Sequence, residues 1–246
     1  MENLLKGSLE LNKMFAALQR TATGLRRDFG EVENLQQSLR GSRDFVAKAS
    51  ARIEEMILSD LMLVRPAAGI LTPNLSRDGD GRDEFVLALS GAANFVRAND
   101  NFAISLALRS NGQTKIALVY SPIDEKLYYA EGSDGGTIAF TAYHSSRVAV
   151  SEIDAAADMM IATDFATHGT LKSIPQKNWR MTGCPAMDLA GVAAGKIDLA
   201  VFDAMDFSET AAGQMLVESA GGHVWESNGE IFAANARVYK SLTTNY

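Results

Sequence analysis

Residues Glu84–Leu108, EFVLALSGAANFVRANDNFAISLAL, constrain the fold more than any other stretch. An apolar run, a Gly-Ala-Ala-Asn corner and a second apolar run follow one another, the pattern of two buried strands joined by a tight turn of small residues. In α/β proteins the ends of buried strands are where ligand sites commonly lie. The tip of this corner is Ser90, Gly91, Ala92 and Ala93. None of these can act as an ionised acid, a base or a strong metal ligand. The scaffold is that of a site, without the side chains a site normally carries.

Composition narrows the class. The 246 residues are 47% hydrophobic and 22% charged, which is the balance of an ordinary soluble globular protein. A net charge of −7 argues against a general electrostatic grip on nucleic acid or an anionic membrane. The densest basic stretch has only Arg40, Arg43 and Lys48, with Asp44 among them. The single cysteine, Cys184, excludes an intrachain disulfide and fits a reducing compartment, where it reads as a small packing residue. No basic segment followed by an apolar one opens the sequence, and no apolar run approaches the length of a membrane span, so a cytoplasmic protein is expected.

Leu4, Leu5, Leu9, Met14, Phe15, Leu18 and Leu25 predict one long amphipathic helix to about Arg27, with Gly30 as its stop. Ile53, Met56, Ile57, Leu61 and Leu63 read as the apolar stripe of a second helix, with Asp44 before it and Pro66 ending it. Ser76–Asp83 is a polar turn. Its two aspartates lack the closing Glu of a calcium loop. Phe102–Leu108 and Lys115–Tyr120 form strands joined through Asn111-Gly112, and Lys126–Ala130 follows as the next strand. Further short strands end the first half near Ser151. Beyond it come a strand at Met159–Ala162, a polar connection at Thr170–Asn178, a helix at Pro185–Ala194 closed by Gly195, and a strand at Asp198–Phe202. A helix at Ser208–Ala220, stopped by Gly221-Gly222, precedes a strand pair at His223–Trp225 and Glu230–Ala233. Helices, then a meander, then alternating β and α elements predict a layered α/β or α+β architecture.

Several segments together resemble the inositol monophosphatase family, including its SuhB-like bacterial members. Arg40, Gly41, Asp44 and Val46 match an early basic-Gly…Asp-x-Val signature, and Leu87–Phe95 (LALSGAANF) follows Asp-Pro-x-Asp-Gly-Thr-x-Asn-Phe without a gap. NFAISLAL and ALVYSPIDEKLYYAEG match the strand and hairpin that come next. Gly183–Asp198 (GCPAMDLAGVAAGKID) and SETAAGQMLVESAGG are similar to two later family segments. The resemblance runs from about Phe15 to Leu242. It implies a single domain over 1–246, with an N-terminal half to 151 and a C-terminal half from 152, folded as a layered α-β-α-β-α sandwich. It also implies a homodimer and Mg²⁺-dependent hydrolysis of small phosphate monoesters.

That chemistry needs two or three Mg²⁺ ions held by carboxylates. Carried over residue by residue, the family's ligand Glu falls on Pro73, the first Asp of the central signature on Leu87, the second on Ser90 and the water-orienting Thr on Ala92. A backbone carbonyl ligand falls on Leu89, the signature's Gly on Gly91, and a further Asp becomes Ser50. The late Trp-Asp pair becomes Ser208-Glu209, which leaves Glu209 as the residual metal candidate. The Glu that reads the inositol hydroxyls becomes Phe202. Arg40, Gly183, Cys184 and Phe202 carry over as ligand-binding positions.

Asp206 and Glu209 also fit a capping box, which gives Glu209 a structural role. Asp203 and Asp206 could rebuild a carboxylate cluster, but they fall on variable family positions. Leu87, Ala88 and Leu89 read as strand packing. His144, His168 and His223 lack metal-ligand spacing, and Ser90 lacks the elbow and the base of a serine hydrolase. The expected protein is a pseudophosphatase with no cofactor, acting through a protein partner or by binding a small phosphorylated ligand. An altered phosphatase retaining Mg²⁺ is the alternative. A third reading, a phosphate sensor, would use Arg40, Arg43, Lys48 and Arg97.

Overall fold

Alternation along the central strands sorts the core into layers. The computed structural model describes residues 5–34, 54–132, 136–155, 157–164, 178–203 and 206–243. Arg40, Asp44 and the rest of the early signature, Ser50, Ile53 of the predicted second-helix stripe, His168, and most of Thr170–Asn178 lie outside these residues.

The first half contributes helix α1 (Leu9–Asn34), a helical segment α2 (54–64) and a sheet. Its strands are β1 (Gly69–Leu71), β2 (Ser76–Arg77), β3 (Asp83–Ser90), β4 (Ala103–Ser110), β5 (Gln113–Ser121), β6 (Lys126–Glu131), β7 (Thr137–Phe140) and β8 (Ser145–Val148). A short helix, α3 (Ala92–Val96), sits in the β3–β4 corner. The order is β2-β1-β3-β4-β5-β6-β7-β8, and β1 on β3 is the parallel pair. At the β4–β5 turn Asn111 and Gly112 both take positive φ, 50° and 78°, as a two-residue hairpin of that sequence requires.

The second half adds β9 (Ile161–Thr163), β10 (Trp179–Arg180), α4 (Pro185–Ala193), β11 (Leu199–Asp203), α5 (Phe207–Ser219), β12 (His223–Ser227), β13 (Glu230–Ala234) and α6 (Ala236–Thr243). Its sheet runs β10-β9-β11-β13-β12. Phe85, Leu87, Ile104, Leu106 and Leu118 face α1 and α2, whereas Val86, Ala107, Ala117 and Val119 face α4 and α5. Ala162, Ala200 and Ala233 of the second sheet close on α4 and α5 from the other side. Ile161, Leu199, Val201 and Phe232 point outward beneath Val238 of α6. The result is the α-β-α-β-α sandwich, with period-two strands dividing one core from the next.

Three sequence expectations need correction. The first helix does not stop at Gly30 but reaches Asn34, because Leu25, Phe29 and Val32 continue its apolar stripe. Phe29 stacks on Phe95 and Phe102, which outweighs the roughly 1 kcal/mol cost of an internal glycine. In α2, Ile57 and Leu61 are the inward pair, while Met56 and Leu63 are exposed. They lie roughly 100–120° round the helix from Ile57. The last helix, α6, went unread, although Asn235 announces it: its side-chain oxygen accepts the N–H groups of Arg237 and Val238. Among the described residues no helix is long and apolar enough to cross a membrane.

Candidate functional site

The corner after β3 is held by backbone geometry that only glycine fits. Gly91 has φ 82°, and a Cβ there would lie 2.8 Å from the Asn101 carbonyl oxygen. Asn94 locks the corner to the segment before α4 by donating to Asn101 O (2.7 Å) and Thr182 O (2.8 Å). Asn101 donates to the same Thr182 carbonyl. The end of β3 is thereby fixed against the N-terminus of α4, close to the ends of β9 and β11 and the start of α5.

A cavity of about 320 Å³ opens at this junction. Of the positions singled out from sequence, Gly91, Ala92, Gly183, Cys184, Phe202 and Glu209 border it. Ser90 lies directly behind, fully buried. Leu87 is also buried and packs, with the partly buried Leu89, in the core beneath α1. Pro73 is exposed in the turn after β1 and does not border the cavity. Asp203 and Asp206 do not border it either. Arg97 is exposed away from it, and His144 and His223 are exposed elsewhere.

Ser90 joins the two halves of the molecule. Its hydroxyl accepts the N–H of Ala186 at 3.2 Å and donates to Glu209 Oε2 at 3.2 Å. Glu209 was expected in a capping box, and this is corrected. Asp206 does cap α5, accepting from Ser208 N at 2.9 Å, but the Glu209 carboxylate turns across to β3. Burial raises its pKa, opposed by the Ser90 bond. Cys184 has no nucleophilic character, because burial pushes its thiol up to about 12. Among the described residues Ser90 faces no histidine, and its hydroxyl is satisfied on both sides, by Glu209 and by the Ala186 N–H.

Two acids at the cavity escaped sequence reasoning. Asp188, in the first turn of α4, is 3% exposed and accepts from Thr182 Oγ1 at 2.6 Å. Burial lifts its carboxyl to about 7 against the opposing pull of that bond. Asp164, just past β9, accepts the N–H of Asp203 at 3.1 Å. An acid in the first turn after Pro185 was the available signal for Asp188, but such a residue ordinarily serves the helix dipole. Asp164 carried no comparable signal.

Among the described residues these donors are not gathered as an Mg²⁺ centre. Mg²⁺ demands several hard oxygens in near-octahedral array. Among the described residues no group of three or more His, Cys, Asp or Glu side chains is placed to hold a metal ion. Asp164, Asp188 and Glu209 each bond a separate protein donor.

The sequence pattern of the inositol monophosphatase family matches residues 8–244. The chain belongs to this family. The inositol-1-monophosphatase of Rhizobium meliloti (strain 1021) is 33% identical, with 94% of each chain covered. The Nus factor SuhB of Escherichia coli (strain K12) is 29% identical over 96% of this chain and 94% of that one. Among solved structures, the extragenic suppressor protein SuhB from Bartonella henselae superposes with a TM-score of 0.81 at 29% identity, covering 96% of this chain and 97% of the other. The relatives thus include proteins named for an enzymatic activity and proteins named as a Nus factor.

Proposed function

We propose that this chain is a pseudophosphatase: an inositol monophosphatase-family protein without Mg²⁺-dependent turnover, acting through ligand binding or protein contacts. The observation that carries this reading is the Ser90–Glu209 hydrogen bond. Glu209 is the one acid left at the positions where the resemblance puts side-chain metal ligands, and it is engaged by the neutral residue standing where a second carboxylate would be. Leu87, at another ligand position, packs in the core instead. Losing the ligands themselves costs more than the roughly 10–100-fold typical of changes to the residues that support them. A homodimer, a protein partner and a cytoplasmic location belong to the same proposal, with the relatives named Nus factor SuhB as precedent for protein contacts. Calorimetric titration of Mg²⁺, with and without inositol 1-phosphate, should give no saturable heat, and phosphate release should not rise with enzyme concentration. Metal-dependent turnover would overturn the reading.

One observation favours a second reading, an altered phosphatase acting on inositol phosphate or another small phosphate monoester. Asp164, Asp188 and Glu209 all border one cavity. This reading requires Mg²⁺- or Mn²⁺-dependent phosphate release that disappears in Asp188→Asn, so activity that survives that change would sink it.

A further inference from the structure

The cavity at the end of β3 is rich in acceptors and poor in donors. Phosphate sites at helix N-termini depend on free backbone N–H groups, usually helped by a cation. At α4 those groups are already used. Pro185 has none, Ala186 N–H goes to Ser90 Oγ, and Asp188 N–H goes to the Cys184 carbonyl. At α5, Asp206 takes the N–H groups of Ser208 and Glu209. No Lys or Arg among the described residues borders the cavity.

The acceptors are less well served. Among the described residues Ser90 Oγ is the one donor to the Glu209 carboxylate, and Thr182 Oγ1 the one donor to Asp188, leaving an oxygen of each without a partner. Asp188 is buried, and among the described residues neither acid has a cationic side chain beside it. A buried carboxylate without a counter-charge is costly, and a ligand that brings one relieves the cost. Apart from Thr163, Asp164 and Cys184, the remaining lining is apolar, chiefly Ala92, Ala93, Met181, Pro185 and Phe202. The volume is that of a small organic molecule, at the lower end of ordinary ligand pockets.

We propose that this cavity binds a small primary ammonium ligand, its charge on Glu209 and Asp188 and its apolar body against Met181, Pro185 and Phe202. The proposal rests on the loss of phosphoryl-transfer chemistry at the same place. It replaces an anionic ligand with a cationic one: the phosphate ester would meet three carboxyl groups and, among the described residues, no cationic side chain, whereas an ammonium supplies the charge that the lining lacks.

The test is calorimetry on the full chain in metal-free buffer with benzylamine, benzyl alcohol and inorganic phosphate as probes. Benzylamine should bind saturably, benzyl alcohol and phosphate should not, and Glu209→Gln should weaken benzylamine about tenfold or more. Equal binding of the alcohol, unchanged affinity in Glu209→Gln, no heat with benzylamine, or displacement of benzylamine by phosphate or Mg²⁺ would each overturn the proposal. If Glu209→Gln does not fold, Asp188→Asn and the wild-type amine-against-alcohol comparison decide the matter in the same way. The two readings fail separately. Inositol phosphate turnover alongside saturable benzylamine binding that depends on Glu209 would defeat the non-catalytic reading and leave the amine site standing. A silent benzylamine titration with no turnover would defeat only the amine site.

Discussion

Asp188 and Asp198 lie ten residues apart in one segment and are equally buried, each 3% exposed. Asp198 is saturated. Its Oδ2 accepts from Met160 N at 2.6 Å and its Oδ1 from the Ser151 hydroxyl. Asn235 donates in turn to Ser151 Oγ and to Ile153 O. That closed network ties β9, β11 and the start of α6 into one body. Among the described residues Asp188 has Thr182 alone, and its carboxyl is pushed up to about 7 by burial. Burial does not distinguish the two acids; hydrogen-bond saturation does. A saturated carboxylate is a fixture of the fold, and an unsaturated one beside a cavity is available to something else.

The comparison breaks most sharply at Asp198. Replacing it by alanine strands the Met160 N–H and the Ser151 hydroxyl, and should cost about 4 kcal/mol in urea-induced unfolding. A variant near wild-type stability would show that the network is not structural. The next effect has the opposite sign. The folded-state pKa of Asp188 is raised, so the native state holds its proton more tightly than the unfolded chain does. Its contribution is therefore most favourable below about 4, falls as pH rises toward about 7, and is level above that. Asp188→Asn keeps an acceptor for Thr182 and should gain roughly 3 kcal/mol at about pH 8 and nothing at about pH 4, read as paired melts across that window. Equal effects at both pH values would erase the distinction. The smallest change is Ser90→Ala, which leaves the Ala186 N–H unpartnered and should cost about 1.5 kcal/mol by thermal melt. A neutral result would mean that Ser90 is not what joins β3 to α4 and α5.

Much of this frame was legible in the sequence. β3 to β6 follow from apolar alternation and from Asn111-Gly112, whose backbone demand is local. The end of α1 was misplaced because Gly30 is a local signal, and the stacking of Phe29 on Phe95 and Phe102, which overrides it, is not. The candidate site divides the same way. The quiet tip of Glu84–Leu108 and its likeness to the family's central signature could be read along the chain. The turn of Glu209 away from its own helix toward Ser90 could not, because 119 residues separate them. Nor could the perturbed state of Asp188, which exists only once α4 is buried between two sheets.

The strand order carries a consequence for rates. From β3 to β8 each strand pairs with its sequence neighbour, so that meander closes by short loops with little entropic cost. The cavity closes through long-range contacts, Ser90 to Ala186 and Glu209 and Asn94 to Thr182, that span 96, 119 and 88 residues. It is therefore among the last parts to assemble and the first to open. Changes at Ser90 should speed unfolding more than they slow refolding, and a ligand seated there acts as a brake on the opening that proteases exploit.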